Sequence, residues 1–357
     1  MTSGTSGTGS AGSAQAHGGA VSRAAGTRVG VIGLGVMGAP MARHMATAGI
    51  PTTVWARRPA ITDALAAHGA SVAASAAELA AASDVVVLVL PGMPEIDAVL
   101  AGPDGLLAGG ANLPDGVARA GEVGSPEEGP DGVARVAEVG SPEDSAASQS
   151  SRLLVICSTV SPRDVRELAD RPELRDAGWR VVDAPISGGE QGAEAGTLAI
   201  FVGGEREDVE VVARVLGATG NPVHLGPLGS GQVGKACNQV IVAATVTALG
   251  EAAVLAERSG LDVAALFDLL GGGYAGSRLL EVKKDRFVAH DHSPSGAAKY
   301  MVKDLTGALD QAEDARTTLP LTRQLLQTFT DLTAAGLGDN DTAVVQAWIE
   351  RQGEQSS

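Results

Sequence analysis

The 357-residue chain is poor in aromatic residues, with three Trp, two Tyr and four Phe, and sets only 26 Lys and Arg against 42 Asp and Glu. The formal net charge is −16. Few rings leave few platforms for stacking bases, and an acidic surface repels phosphate backbones, so nucleic acid is excluded as an expected partner. Cysteine is nearly absent. Cys157 and Cys237 stand far apart and form no Cys-x-x-Cys pair, which argues against a disulfide framework or a zinc ribbon. Both read as reduced, buried, small apolar residues. Long apolar runs are missing too: the longest charge-free helical stretch of the second half, residues 236–250, falls short of the ~20 apolar residues that span a bilayer. No membrane association is expected. Residues 1–27 are almost wholly Gly, Ser, Thr and Ala and hold no apolar h-region of a secretory signal. They read as a disordered tail, and the expected location is cytoplasmic.

A second unusual segment, 108–150, contains PDGVARAGEVGSPEE (114–128) followed by PDGVARVAEVGSPED (130–144), identical at twelve of fifteen positions. Two short copies rich in Pro, Gly and Glu cannot bury a core by stacking, so the segment reads as a disordered repeat insertion. It holds eight acids and two arginines, yet the rest of the chain is still acidic. Any anionic ligand must therefore be captured by local cations and backbone N–H groups.

Elsewhere the periodicity is clear. Short β-branched runs at 28–32, 52–55, 84–90, 153–156 and 180–182 alternate with Ala- and Leu-rich amphipathic stretches, the pattern of a parallel sheet wrapped by helices. The run at 85–90 is apolar throughout, as in a central strand buried on both faces. After Leu228 the pattern is helical, opening with a long stretch from Gly231 to Arg258 that Gly260 ends. The predicted fold is an α/β Rossmann-type, doubly wound, mostly parallel sheet followed by an all-α C-terminal domain. The expected division is a dinucleotide-binding domain over 28–227, carrying the insertion, and a helical domain over 228–353.

The first strand runs into Gly33-Leu34-Gly35-Val36-Met37-Gly38, with a helix after it. Gly-x-Gly-x-x-Gly between strand and helix permits a tight turn and close backbone approach to a pyrophosphate seated on the helix N-terminus. The competing interpretation is an ordinary glycine-rich turn. At the end of the second strand an acid would bind a ribose 2′-hydroxyl and repel a 2′-phosphate. Here the residues are Arg57 and Arg58, with no acid before Asp63, so NADP(H) is expected in preference to NAD(H), unless the pair is a solvated surface feature.

Gly229-Ser-Gly-Gln-Val-Gly234-Lys235 matches seven positions of a nucleotide-triphosphatase phosphate loop, but Ala236 stands where Ser or Thr must hold magnesium. Within a helix, Lys235 shares a face with Asn238 and Gln239. Such a lysine can exchange a proton with a substrate oxygen; the plainer account is a solvated lysine at a helix start. His290-Asp-His292 lacks further clustered ligands and reads as loop surface, so no metal is expected. His44 and His224 read as packing or surface residues.

Together these segments resemble the β-hydroxyacid dehydrogenase family over nearly all of 28–350 outside the insertion. The resemblance rests on the glycine loop through Ala42, on Asp183-Ala-Pro-Ile-Ser-Gly-Gly189 with Gly192-Ala193 and Gly196-Thr-Leu198, on Gly229 through Asn238, on Lys303-Asp304-Leu305, and on Gly338-Asp-Asn-Asp341. It implies an NAD(P)-dependent dehydrogenase or reductase interconverting a short β-hydroxyacid and its semialdehyde or oxo acid, of 3-hydroxyisobutyrate or 2-hydroxy-3-oxopropionate type. It implies Lys235 as proton donor, Ser187, Gly188 and Gly189 as the loop binding a small carboxylate substrate, and Asn238 as an orienting amide. Leu90, Pro91, Thr159 and Lys303 would line the cofactor, with Asp304 positioning that region. A homodimer or homotetramer is expected. Departures are Gln239 in place of a second Asn, Ile156 for an acid, Glu95 for a polar residue and Gly296 for Phe. Imine reductases, which share the fold, lack the Ser-Gly-Gly loop and the lysine. A catalytically silent NADPH-binding interaction protein is the alternative from another class.

Overall fold

The computed structural model describes residues 26–111 and 152–355. The expectations of disorder for 1–25 and for 112–150, repeat included, lie outside the described residues. Residues 108–111, assigned above to the insertion, instead complete a 3-10 helix, Leu106–Ala111. This turn belongs to the fold because Ala77 N–H donates to Asp104 O at 3.1 Å and Arg152 Nη1 reaches Gly109 O at 3.5 Å.

Among the described residues nine strands form one sheet: β1 (Val29–Ile32), β2 (Thr52–Trp55), β3 (Ser71–Val72), β4 (Val85–Leu88), β5 (Arg152–Ile156), β6 (Trp179–Asp183), β7 (Ile186–Ser187), β8 (Leu198–Gly203) and β9 (Gly220–Gly226). Their order is 3-2-1-4-5-6-8-7, with β9 paired to β8. The first six strands are parallel. The β6–β8 and β7–β8 pairs are antiparallel, and β8–β9 is parallel, so the sheet is mostly parallel.

Each central strand feeds two cores, because successive side chains point to opposite faces. Val29, Val31, Val85 and Val87 pack on one side with Met41 and Met45, while Ile32, Val86, Leu88 and Leu154 pack on the other with Leu79 and Ile96. That two-sided burial explains the uninterrupted apolar runs. The covering helices are α1 (Gly38–Thr47), α2 (Pro59–Ala66), α3 (Ala76–Ala81), α4 (Met93–Leu100), α5 (Pro162–Asp170), α6 (Pro172–Asp176), α7 (Gly189–Ala195) and α8 (Arg206–Leu216).

From Ser230 onward the regular elements are helices: α9 (Ser230–Arg258), α10 (Val263–Gly271), α11 (Arg278–Ala289), α12 (Tyr300–Asp314), α13 (Pro320–Leu332) and α14 (Val345–Gln355). Helix α9 has 29 residues, about 43 Å at 1.5 Å per residue. By length and composition it could cross a membrane. Its stripe of Gln239, Ala243, Val246, Gly250 and Ala253 is nevertheless buried, and it packs on β8, α12, α13 and α14. Gly250 lies so near α14 that a Cβ would meet Val345 Cγ1 at 2.8 Å. The helix ends where Gly260 turns left-handed at φ 76° and Leu261 N–H reaches back to Ala256 O. Of the two cysteines, Cys157 is buried as expected but Cys237 is exposed. Two residues past the buried Lys235, at 100° per residue, Cys237 falls on the opposite side of α9.

Candidate active site

Parallel strands present their carboxyl ends along one edge, and the sheet order lines up along that edge the residues singled out from the sequence. Arg57 and Arg58 follow β2, the glycine loop follows β1, Leu90 and Pro91 follow β4, and Thr159 follows β5. Both arginines are exposed. Gly33 turns at φ 98° with Val89 O only 2.2 Å from where a Cβ would stand, and a Cβ on Gly38 would lie 2.1 Å from Gly33 O. These two glycines are required by the turn itself. Gly35 is different: a Cβ there meets nothing within 4 Å, so the space beside it is open. Helix α1 begins without a side-chain cap and without an acid in its first turn, leaving its N–H groups for an external acceptor. The loop therefore fits a pyrophosphate. Leu34 is buried in the core and Val36 is 65% exposed, so Leu34 can contribute to such a site through its backbone alone.

Helix α9 carries Lys235 to this edge. Lys235 is 8% exposed, and burial lowers its pKa to about 8, opposed by the charge of Asp304 and assisted by that of Lys303. One turn further, Asn238 and Gln239 enter a chain of polar contacts joining four segments. Ser187 Oγ donates to Asn238 Oδ1 at 3.4 Å, Asn238 Nδ2 donates to Gln239 Oε1 at 2.9 Å, and Gln239 Nε2 donates to Asp304 Oδ2 at 2.5 Å. Lys303 Nζ sits 3.3 Å from Asp304 Oδ1 and donates to Thr159 O. The structure thus brings Ser187, Asn238, Gln239, Lys303, Asp304 and Thr159, far apart in sequence, into one network beside Lys235. Gly188 and Gly189 follow Ser187 with φ of 135° and 62°, exposed, and lead into α7. A cavity of about 380 Å³ opens between the start of α4, the loop after β5, α9 and α12, lined by Met93, Pro94, Thr159, Gln232, Gln239 and Lys303, among others; Lys235, Asn238 and Ser187 to Gly189 are not on its wall.

Two buried residues in the quoted motifs were given no role from sequence. Asp183, at the end of β6, is wholly buried and accepts Gly229 N–H on Oδ1 and Gln232 N–H on Oδ2, both at 2.7 Å. It caps the start of α9 from the end of β6. Desolvation lifts its pKa to about 6 despite these donors. Gln232, 1% exposed, donates through Nε2 to Ser158 O at 2.9 Å and accepts Val160 N–H on Oε1 at 3.2 Å. The signal available in sequence was a carboxylate closing an apolar strand and an amide in the first turn of an apolar helix.

Other motif residues serve structure. Asp341, fully buried, receives Lys283 Nζ at 2.6 Å and Ala343 N–H at 2.9 Å, holding α11 against the segment before α14. His290, read as loop surface, is 45% exposed but bridges two helices: Nε2 lies 3.0 Å from Glu257 and Nδ1 3.4 Å from Glu350. The three side chains place one ligand atom each within 4.8 Å of one another.

Comparison with known proteins agrees with this architecture. Residues 28–115 and 134–229 match the model described as the NAD binding domain of 6-phosphogluconate dehydrogenase. Residues 229–348 match that of the NAD-binding of NADP-dependent 3-hydroxyisobutyrate dehydrogenase. The chain is 35% identical to the probable 3-hydroxyisobutyrate dehydrogenase-like 3, mitochondrial, of Arabidopsis thaliana, over 87% of this chain and 84% of that one. It is 31% identical to the 2-hydroxy-3-oxopropionate reductase of Escherichia coli K12, over 90% and 96%. A crystal structure of 3-hydroxyisobutyrate dehydrogenase from Salmonella typhimurium superposes with a TM-score of 0.71 at 26% identity, covering 90% of this chain and 99% of that one. Fold and similarity together define an NAD(P)-dependent dehydrogenase or reductase acting on hydroxyl groups. The chain belongs to the β-hydroxyacid dehydrogenase family.

Proposed function

We propose that the protein interconverts a short β-hydroxyacid and its semialdehyde or oxo acid, with NADP(H) preferred over NAD(H) and Lys235 as the proton-transferring group. The observation that carries this reading is Lys235 itself: an amine buried beside the carboxyl edge, its pKa lowered to about 8, next to a network of polar side chains linked to one another through Gln239 and Asp304. A lysine with a pKa near the working pH can give a proton and take it back. The names of the relatives, 3-hydroxyisobutyrate dehydrogenase-like and 2-hydroxy-3-oxopropionate reductase, support the substrate class.

In this reading Gly33, Gly35 and Gly38, with the N-terminus of α1, hold the pyrophosphate, and Leu34, Val36 and Met37 shape the loop. Arg57 and Arg58 meet the 2′-phosphate, a role supported by their exposure and the absence of an intervening acid. Leu90, Pro91, Thr159 and Lys303 bound the nicotinamide end. The bound nicotinamide supplies or accepts the hydride. The Ser187 hydroxyl and the N–H groups of Gly188 and Gly189 receive the substrate carboxylate, as backbone nests receive anions. Asn238, steadied by Gln239, orients the substrate oxygen toward Lys235. During reduction Lys235 Nζ gives its proton to the carbonyl oxygen as C–H forms at the carbonyl carbon; during oxidation the neutral amine takes the hydroxyl proton.

We also propose self-association as a homodimer or homotetramer, supported by the exposed apolar residues Ile241, Leu255, Leu261 and Leu269 of the helical half. The test of function is a panel of malonate, methylmalonate, tartronate and succinate semialdehydes assayed with NADPH and NADH. Turnover of a β-semialdehyde with NADPH supports the reading, and no oxidation of either cofactor by any of the panel contradicts it.

A further inference from the structure

Residues 158–160 follow β5 and place Thr159 on the cavity wall. Among the described residues no strand pairs with their backbone, the β5 ladders ending at Ile156, and buried peptide groups must find partners. The partner is a side chain. The Gln232 amide lies against the two peptides that flank Thr159, taking Val160 N–H on Oε1 and giving Nε2–H to Ser158 O. An amide carries one donor face and one acceptor face, so it can replace an adjacent strand over one residue. Thr159 O itself is held by Lys303 Nζ from α12.

Gln232 is fixed in turn. Its own N–H is bound to Asp183 at 2.7 Å, and the neighbouring Gly231 packs so tightly that a Cβ would meet Phe201 O at 2.2 Å and Asp183 Oδ2 at 2.8 Å. Ser158, 3% exposed, passes the constraint on, because its Oγ accepts Leu90 N–H at 3.0 Å. A continuous path of short contacts thus runs from Asp183 through Gln232 to the loops after β5 and β4. Lys235 stands three residues beyond Gln232 on the same helix.

From this arrangement we propose that Gln232 is a positioning residue: its side-chain amide locks the Thr159 loop to the helix that carries Lys235, and so sets the separation between the cofactor-lining wall and the proton donor. This rests on the roles given above to Thr159 and Lys235. Hydride and proton transfer to one carbonyl group require two groups from different segments to be held in register, and a misplacement of ~1 Å costs on the order of a hundredfold in rate. A latch through a buried amide supplies that register without touching substrate.

Two variants test it. Gln232→Met keeps the bulk and removes both hydrogen bonds. Gln232→Glu keeps the acceptor toward Val160 but sets a carboxylate oxygen against Ser158 O until that carboxyl is protonated. The full-length enzyme is assayed for kcat and KM, for the deuterium isotope effect with 4-deuterated cofactor, and for amide hydrogen exchange over 157–161. The latch predicts that Gln232→Met exchanges faster at Val160, loses at least tenfold in kcat with cofactor affinity within threefold, and shows a larger isotope effect. It predicts that kcat of Gln232→Glu, taken relative to wild type at the same pH, recovers as pH falls and its carboxyl regains a proton. Wild-type exchange at Val160 together with kcat within twofold in Gln232→Met overturns the latch. So does faster exchange with kcat within twofold, or a kcat ratio of Gln232→Glu to wild type that stays constant with pH. Should wild-type enzyme turn over no semialdehyde while exchange at Val160 still responds to Gln232→Met, the proposed function fails and the loop contact stands.

Discussion

Gln239 Nε2 and Asp304 Oδ2 lie 2.5 Å apart, joining α9 to α12, with Lys303 Nζ 3.3 Å from the other oxygen, and the Asp304 charge acts on Lys235 from this position. A direct ion pair with Asp304 would raise the lysine and hold its proton. Instead burial prevails, and Lys235 is lowered to about 8. Asp304→Asn removes the charge that opposes this lowering, so the Lys235 pKa falls further. In the reduction direction the protonated amine is the acid. In wild type kcat/KM for reduction should fall as pH rises through about 8, and in Asp304→Asn that alkaline limb should move to lower pH. The two pH profiles check it; an unmoved limb would separate Asp304 from the titration.

The glycine loop separates structure from binding within six residues. Gly35→Ala meets open space, so its melting temperature should stay within a few degrees of wild type while cofactor affinity drops. Gly38→Ala drives a Cβ to 2.1 Å from Gly33 O and should lower stability by ~1–3 kcal/mol or more, as overpacking does. Thermal melts with cofactor titrations on both variants read the contrast.

Arg57→Asp places an acid where a 2′-phosphate would sit and a 2′-hydroxyl would be welcomed. KM for NADPH should rise at least tenfold while KM for NADH stays level or falls. Equal changes for the two cofactors would remove Arg57 from phosphate recognition.

Asp183 is raised from 3.8 to about 6 in the folded protein by desolvation. Because the folded state binds this proton more tightly than the unfolded state, the group's contribution to stability is full below about pH 4 and is lost as pH rises through about 6. At 1.36 kcal/mol per unit the shift is worth ~3 kcal/mol. Asp183→Asn removes the titration, so the stability of wild type relative to the variant should improve as pH falls from 7 to 4. Urea melts at several pH values measure it, and a pH-independent difference would mean the carboxyl does not titrate in that range.

Much of this architecture is written in local pattern. Apolar runs mark β1, β4 and β5 because both faces of those strands are buried, and the strand–glycine–helix order marks the dinucleotide loop. Strands β3, β7, β8 and β9 are absent from the predicted runs. Strands β3 and β7 have two residues each, and β9 is largely exposed and interrupted by Pro222, so neither length nor alternation announces them; β8, six residues and largely apolar, is missed although its pattern is there to read. Lys235, Asn238 and Gln239 are legible together because helical spacing puts them on one face. Asp183 and Gln232 are not, since their partners are backbone atoms 46 to 74 residues away, and nothing local distinguishes a carboxylate that caps a distant helix from one facing solvent. Cys237 shows the same limit in reverse: read as a buried small apolar residue by type alone, it is turned outward by the helical phase.

The central claim is that Lys235 moves the proton. Lys235→Ala, assayed for NADPH oxidation with the best semialdehyde of the panel and for NADPH binding by fluorescence titration, tests it most directly. The account predicts a kcat loss of at least a thousandfold with cofactor affinity within about threefold of wild type, consistent with the ~10²–10⁴ contribution of a positioned acid. Turnover within tenfold of wild type in a variant that still binds NADPH would contradict it.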